Sequence, residues 1–127
     1  MHKLIFYFID EYKKSHLINL DKNISIIFRN YNKSYDENEV LKIKKFCLSS
    51  NRSFFISNNL HLANKLNLDG IYIPSFNKNL SLIKFKNKIK LIGSAHNVRE
   101  IYEKNIQGCA VNIVSRLFKT QYQNKLS

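Results

Sequence analysis

Two side chains in this sequence have functional groups that could bind an anion or transfer a proton. Arg29 follows the apolar segment Ile24–Phe28, and it is one of only four arginines in a chain whose basic residues are mostly lysine. A guanidinium offers phosphate oxygens a planar, bidentate set of donors that stays charged. His96 can donate to a phosphate or act as an acid or base near neutral pH. Its alternative role is to hold the turn that precedes Asn97.

The other residue types that often carry chemistry form no recognisable pattern. Cys47 and Cys109 lie far apart, without a CxxC motif or a Cys/His spacing, so we interpret both as buried free thiols. His2, His16 and His61 have no neighbouring group of acids or cysteines. The sequence therefore predicts no metal site built from cysteine and histidine.

Length and composition narrow the class of protein. A chain of 127 residues has room for one hydrophobic core, and 44% hydrophobic residues argue against disorder. No apolar run approaches the roughly 20 residues of a membrane helix. The apolar run Leu4–Ile9 is also shorter than a signal-peptide core. We therefore expect a cytoplasmic protein with no membrane partner.

The net charge of +12 raises the question of a nucleic-acid partner. The lysines are spread along the chain, and lysine, asparagine and isoleucine, which all have A/T-rich codons, dominate it. A compositional bias therefore explains the charge, and we expect no nucleic-acid partner. A positive field that attracts phosphorylated small molecules is compatible with the same composition.

Short apolar segments, typical of strands, recur along the chain. Leu4–Ile9 is continuous and rich in aromatic and branched residues, which predicts a strand buried on both faces. Further strands are predicted at Ile24–Phe28, Ser53–Ser57, Ile71–Ile73, Ile89–Gly93 and Cys109–Val114.

Helical patterns separate most of these strands. Ser34 and Glu37 are spaced as a capping box, and the helix after them has an apolar stripe formed by Val40, Ile43 and Cys47. A short helix is predicted after Asn58 or Asn59, and another after the cap Asn97, closed by Gln107 and Gly108. Two segments are less clear. One or two helical turns are expected within 11–23, and a short helix or a loop within 79–88.

Strands alternating with helices indicate βα units and a parallel sheet, hence an α/β fold. An open doubly wound sheet and a part of a barrel both satisfy this pattern. We expect a single domain over residues 1–120 and a polar tail over residues 121–127.

The segments at the strand ends decide between these folds. In order they are Ile26–Tyr31, Ile56–Asn58, Leu68–Ile73, Gly93–Glu100 and Ser115–Thr120. Together they resemble successive landmarks of the family of thiamine phosphate synthases and TenI thiazole tautomerases. The resemblance implies a (β/α) TIM-barrel-like parallel sheet with its chemistry at the carboxyl ends of the strands. The chain stops after the sixth strand, so we expect a truncated barrel whose exposed strand edges could pair in an oligomer.

The resemblance also implies site residues. The catalytic set is Arg29, Ser94 and His96. The substrate-binding set is Arg29, Ser57, Asn58, Ser94 and Thr120.

Arg29 matches the arginine of a family pattern that binds pyrophosphate, whereas Ile27 and Tyr31 replace its glutamine and lysine. Ser94 matches a serine near the substrate phosphates, and Thr120 matches a threonine that contacts the thiazole phosphate.

In the family, acids after the third and fourth strands hold magnesium. The matching residues here are Ser57, Asn58 and Asn77, which carry neutral oxygen ligands. Magnesium prefers charged oxygens, so the cofactor is implied by resemblance while its acidic ligands are missing. Asn58 has an alternative role as the cap of the next helix.

The resemblance implies a transferase of thiamine biosynthesis. Its substrates are phosphorylated small molecules: a thiazole phosphate is joined to an aminopyrimidine that arrives as a pyrophosphate ester. Loss of the acids puts this activity in question. The alternatives are a TenI-like tautomerase, which needs no magnesium, and a non-catalytic module that binds a phosphorylated ligand or pairs with another subunit.

Overall fold

The computed structural model of the protein describes residues 5–114. Six strands lie in one sheet in the order of the sequence. They are β1 (Ile5–Ile9), β2 (Ile24–Phe28), β3 (Phe54–Ser57), β4 (Gly70–Ile73), β5 (Lys90–Ala95) and β6 (Val111–Val114). The pairs β1–β2, β2–β3 and β5–β6 are parallel, which confirms the parallel α/β architecture.

Helical segments connect the strands. They are α1 (Lys14–Leu17), α2 (Glu37–Ser49), α3 (Leu60–Lys65) and α4 (Val98–Ile106), with a 3₁₀ helix at Ser81–Phe85 between β4 and β5. The 3₁₀ helix lies within residues 79–88, where a short helix or a loop was expected, and α1 is one helical turn within residues 11–23, where one or two turns were expected. Between residues 5 and 114, no helix is both long and apolar enough to cross a membrane.

The chain divides into two compact units, residues 1–71 and 72–127. In the N-terminal unit the core is formed by β2 and β3, whose central residues are fully buried. Ile26 pairs with Phe54 and Phe28 with Ile56, so branched and aromatic side chains lie side by side across the two strands. Continuous apolar runs of this kind are what a parallel strand covered on both faces requires.

The first strand departs from its predicted burial. Ile5 and Tyr7 are 37% and 40% exposed, so β1 alternates between a covered and an open face. The prediction of a strand buried on both faces was wrong. The residues of β1 are exposed because this strand is at the end of the strand order and because α1, which follows it, is only four residues long.

The start of α2 also differs from the prediction. Asp36 caps the helix, because its side chain accepts a hydrogen bond from the backbone N–H of Asn38 at 3.0 Å. Ser34 lies outside the helix and Glu37 is its first residue, so the predicted capping box was wrong. A carboxylate is a strong cap because it also compensates the positive end of the helix dipole. The predicted buried stripe of Val40, Ile43 and Cys47 is confirmed.

Among the described residues, α2, α3 and α4 end in the same way. The residues just past the helices, Asn51, Asn67 and Gly108, have φ values of 55°, 56° and 93°. In each case the next residue donates back into the last turn, from Arg52 N to Cys47 O at 2.9 Å in α2. This is the Schellman arrangement, which needs a left-handed residue at that place. Gly108 closes α4 as predicted.

In the C-terminal unit a lysine takes the place of an apolar core residue. Lys104 of α4 is fully buried, and its ammonium donates to Asn77 O at 2.8 Å and to Gln107 Oε1 at 2.7 Å. Gln107 is also buried, and its Nε2 donates to Asn77 O and Asn79 O at 2.8 and 2.9 Å. The two side chains thus bind the backbone carbonyls of the loop that follows β4. Burial lowers the pKa of Lys104.

The stem of Lys104 passes over a glycine of β5. A Cβ atom on Gly93 would lie 2.6 Å from Lys104 Cδ and 2.8 Å from Cys109 Sγ. Gly93 is therefore required by close packing.

Both cysteines are free, as predicted. Burial raises the pKa of Cys47 to about 12 and that of Cys109 to about 11, so both remain thiols at neutral pH. Cys47 is buried, whereas Cys109 is only half-buried.

Candidate functional site

A cleft of about 370 Å³ opens at the carboxyl ends of β1 and β2. The two strands end level with each other, since Ile9 pairs with Phe28, and the N–H of the next residue, Arg29, donates to Ile9 O at 2.8 Å. The lining residues are Phe8, Ile9, Asp10, Arg29, Asn30, Tyr31 and Asn32.

Arg29 is the cation of this cleft. Its guanidinium carbon lies 4.1 Å from the centre of the Phe8 ring and 5.6 Å from that of Tyr31. Such contacts hold the charge through the electron-rich ring faces and leave the N–H donors available. No carboxylate among residues 5–114 lies within 4.0 Å of it. The geometry therefore presents a half-buried, oriented guanidinium to the cleft.

The loops around Arg29 are held by an asparagine. Asn30 Nδ2 donates to Asp10 O at 3.1 Å, which joins the end of β1 to the end of β2. The Oδ1 of the same side chain accepts from Asn32 N at 2.9 Å, which closes the turn after β2. Both loops that line the cleft are thus fixed by one side chain.

Tyr35 fastens the end of β2 to the end of β3. Its hydroxyl donates to Ser57 O at 3.0 Å and lies 3.4 Å from Phe28 O, and its ring lies 5.1 Å from that of Phe28. Burial raises the pKa of Tyr35, so the hydroxyl stays protonated and able to donate. Sequence reasoning missed this residue, because a tyrosine in a polar segment carries no signal of its partners.

Ser57 and Asn58, both predicted to bind substrate, lie at the carboxyl end of β3, next to β2 in the sheet. Ser57 is 1% exposed, and its hydroxyl has no hydrogen-bond partner within the described part of the chain. Asn58 is exposed and has a φ of 58°. The helix cap is Asn59, which accepts from Leu62 N at 2.9 Å, so the alternative role of Asn58 as that cap was wrong.

Ser94 and His96 belong to the C-terminal unit. Ser94 is buried in β5, one residue before the strand ends. His96 is half-exposed, with Nδ1 3.2 Å from Glu100 Oε1, and its backbone N–H donates to the same oxygen at 2.7 Å. Asn97 caps α4 as predicted, by accepting from Glu100 N at 2.9 Å. These contacts favour the turn-holding role of His96.

Of the predicted site residues, Arg29, Ser57 and Asn58 thus share the strand ends of the N-terminal unit. Thr120, together with the landmark segment Ser115–Thr120, lies outside the described residues.

The residues that match the magnesium ligands do not fit that ion. Ser57 and Asn58 carry neutral donors. Asn77 O accepts from the Lys104 ammonium at 2.8 Å, and Asn77 Oδ1 accepts from Asn79 N at 2.9 Å. A second cation at Asn77 would be repelled by the first. Within residues 5–114, no three His, Cys, Asp or Glu residues gather as candidate ligands of a metal ion.

Comparison with known proteins gives a fold and no closer relation. No family model matches the chain, and no curated protein sequence matches it. Among solved structures, thiamine phosphate pyrophosphorylase from Pyrococcus furiosus is similar, with a TM-score of 0.62 and 13% sequence identity. The match covers 91% of this chain and 61% of that chain. The likeness confirms the predicted fold class, an α/β protein with a TIM-barrel-like parallel sheet.

Proposed function

We propose that this protein is thiamine phosphate synthase-like, acts in the cytoplasm, and binds the phosphate of a small molecule in the cleft beside Arg29. The observation that carries the proposal is the Arg29 guanidinium, which lies against Phe8 and Tyr31 without a carboxylate partner among the described residues. A half-buried arginine in this state has its charge and its donors available for an anion.

The size and lining of the cleft favour a small phosphorylated ligand. Its volume of about 370 Å³ is within the range of small-molecule sites. Asn30 and Asn32 add amide groups at the rim, and Asp10 supplies a carboxylate that can accept from an amino group of the ligand. The position at the carboxyl ends of parallel strands is where barrels of this kind carry their chemistry.

In the proposed reaction, a thiazole phosphate nitrogen is joined to the methylene carbon of an aminopyrimidine as pyrophosphate leaves. Arg29 would bind the pyrophosphate and stabilise the negative charge that develops on it. Ser57 and Asn58, which belong to the same unit as Arg29, are the proposed further contacts to substrate at this cleft. Ser94 and Thr120 are proposed as substrate contacts from the resemblance alone. His96 is proposed as an acid or base from the resemblance alone, because its contact with Glu100 favours the turn-holding role.

The experiment compares Arg29→Ala with Arg99→Ala, a matched loss of one positive charge from a side chain that is 84% exposed. Binding of thiazole phosphate and of the pyrimidine pyrophosphate is measured by calorimetry, and thiamine phosphate formation by chromatography with magnesium present. We expect Arg29→Ala to lower the affinity for the phosphorylated ligand by roughly ten- to a hundredfold, since a hydrogen bond to a charged group contributes about 1.5–3 kcal/mol. Equal effects of the two substitutions would refute the site.

A second candidate function is a non-catalytic module that holds the phosphorylated ligand or pairs with another subunit through a strand edge. Neutral side chains at Ser57, Asn58 and Asn77, where the resemblance expects acids, favour it. Saturable, Arg29-dependent binding without any turnover supports the module. Isomerisation of the thiazole carboxylate phosphate without magnesium would instead support the TenI-like alternative.

A further inference from the structure

A second cleft, of about 400 Å³, lies between the segment leading into α1 and the side of α2. It shares no lining residue with the cleft at Arg29. Its lining combines three lysines, two aromatic residues and one hydroxyl: Tyr12, Lys14, Lys42, Lys45, Phe46 and Ser49.

Three of the six residues that line this cleft are lysines, so the cleft carries a local concentration of positive charge. Lys42 and Lys45 are three residues apart on α2 and therefore share a face of the helix, and Lys14 begins α1. None of the three has an ion-pair partner among residues 5–114. Elsewhere in the unit Lys65 pairs with Glu37 at 2.9 Å. Neighbouring ammonium groups repel each other, and a bound anion would relieve that repulsion.

The aromatic walls of the cleft are already held in place. The backbone N–H of Tyr12 donates to Glu39 Oε2 at 2.8 Å, which attaches the segment before α1 to α2. The guanidinium of Arg52 lies 5.5 Å from the centre of the Phe46 ring. Ser49 lies one turn further along α2, and its hydroxyl donates to Phe46 O at 2.9 Å. The backbone of Tyr12 and the ring of Phe46 therefore each have a contact that holds them, and both residues line the cleft together with the lysines.

We propose that this cleft binds a mononucleotide, with its phosphates on Lys14, Lys42 and Lys45 and its base against Tyr12 or Phe46. Ammonium groups bind phosphate oxygens as point charges, and aromatic rings stack on any base. The volume admits one nucleotide. Three lysines around one cleft favour a single nucleotide over a strand, which needs a basic groove along several nucleotides.

The test measures ATP, AMP and tripolyphosphate binding by calorimetry at about 150 mM salt, where weak surface attraction is screened. Lys42→Ala/Lys45→Ala should weaken ATP by about tenfold or more. Lys86→Ala/Lys88→Ala removes the same charge from exposed positions of the other unit and should change little. Phe46→Leu or Tyr12→Leu, whichever removes the stacked ring, should reduce the affinity for ATP to that of tripolyphosphate.

The proposal is overturned if the two double variants weaken ATP equally, if neither Phe46→Leu nor Tyr12→Leu has an effect, or if ATP does not saturate. Tighter binding of a single-stranded oligonucleotide than of ATP, lost in the same variants, would assign the cleft to nucleic acid instead. Arg29→Ala should leave ATP binding intact, so failure at the Arg29 cleft and failure here are distinguishable.

Discussion

Replacing Lys104 with methionine would remove its ammonium while keeping an unbranched stem beside Gly93. The substitution leaves Gln107 Oε1 without its donor at 2.7 Å, whereas Asn77 O keeps the hydrogen bond from Gln107 Nε2 at 2.8 Å. A buried acceptor without a partner costs about 1–3 kcal/mol. Removal of a buried cation offsets part of this cost, because the desolvation of the charge is also lost.

We therefore expect Lys104→Met to lower the free energy of unfolding by about 1–2 kcal/mol at pH 7. Lys104→Ala also removes the stem and opens a cavity, so we expect about 3–5 kcal/mol. Urea unfolding followed by circular dichroism gives both values. Equal decreases in the free energy of unfolding would contradict the inference that the methylene stem of Lys104 stabilises the protein by packing, separately from the hydrogen bonds of its ammonium.

The pH dependence tests the protonation of Lys104 directly. Burial lowers the pKa of Lys104 in the folded protein, while in the unfolded chain this pKa is near the ordinary lysine value of 10.5. Between these two pKa values the unfolded chain binds more protons, so the stability of the native protein rises with pH relative to Lys104→Met. A neutral amine still donates twice, which matches its two short contacts. If the stability difference between the two proteins is constant from about pH 7 to 10, the pKa is not lowered.

Two further substitutions test the packing and the frame of the candidate site. Gly93→Ala should cost about 1–3 kcal/mol, because the new methyl overlaps Lys104 Cδ and Cys109 Sγ. In a Lys104→Ala background the same change should cost clearly less, and additive losses in the double-mutant cycle would refute the contact. Tyr35→Phe should lower the free energy of unfolding by about 1–2 kcal/mol, since Ser57 O loses its donor. It should also weaken phosphate ligands at Arg29, and an unchanged urea midpoint would show that the hydroxyl does not join the strands.

Much of the sheet could be predicted from the sequence, because a strand buried on both faces is encoded by a nearly continuous run of apolar residues. Residues 26–28 of β2 and 54–56 of β3 are continuous apolar runs, and all six residues are buried. The run at β1 looks the same in sequence, yet Ile5 and Tyr7 are partly exposed. Whether a strand is at the end of a sheet depends on the other strands, and no local pattern contains that information.

The helix α4 shows a second limit of local patterns. Its apolar residues Val98 and Tyr102 are 81% and 65% exposed, whereas Lys104 and Gln107 are fully buried. A periodicity argument would have buried the opposite face. The carbonyls of the loop after β4 lack sheet partners, and the two polar side chains satisfy them. The carbonyl groups that accept these hydrogen bonds lie some 30 residues away in the chain. The sequence of the helix alone therefore does not predict which of its faces is buried.

The candidate site divides in the same way. Arg29 could be selected from its type and its place after a strand. Arg29 contacts Phe8, and Tyr35 joins the ends of β2 and β3 through a hydrogen bond to Ser57 O. Both contacts depend on the register of the strands, which the sequence did not predict.

The asparagines that end α2 and α3 carry a consequence for how this fold tolerates change. Asn51 and Asn67 occupy the left-handed conformation that glycine adopts without strain, and the whole chain has only three glycines. Asparagine is the residue with a side chain that best tolerates this conformation. The asparagine-rich composition of the sequence therefore also bears on backbone conformation, since asparagine takes the left-handed position at both helix ends. Two helix ends have side chains where a bare backbone would suffice, and drift at either position is restricted to a very small set of residues.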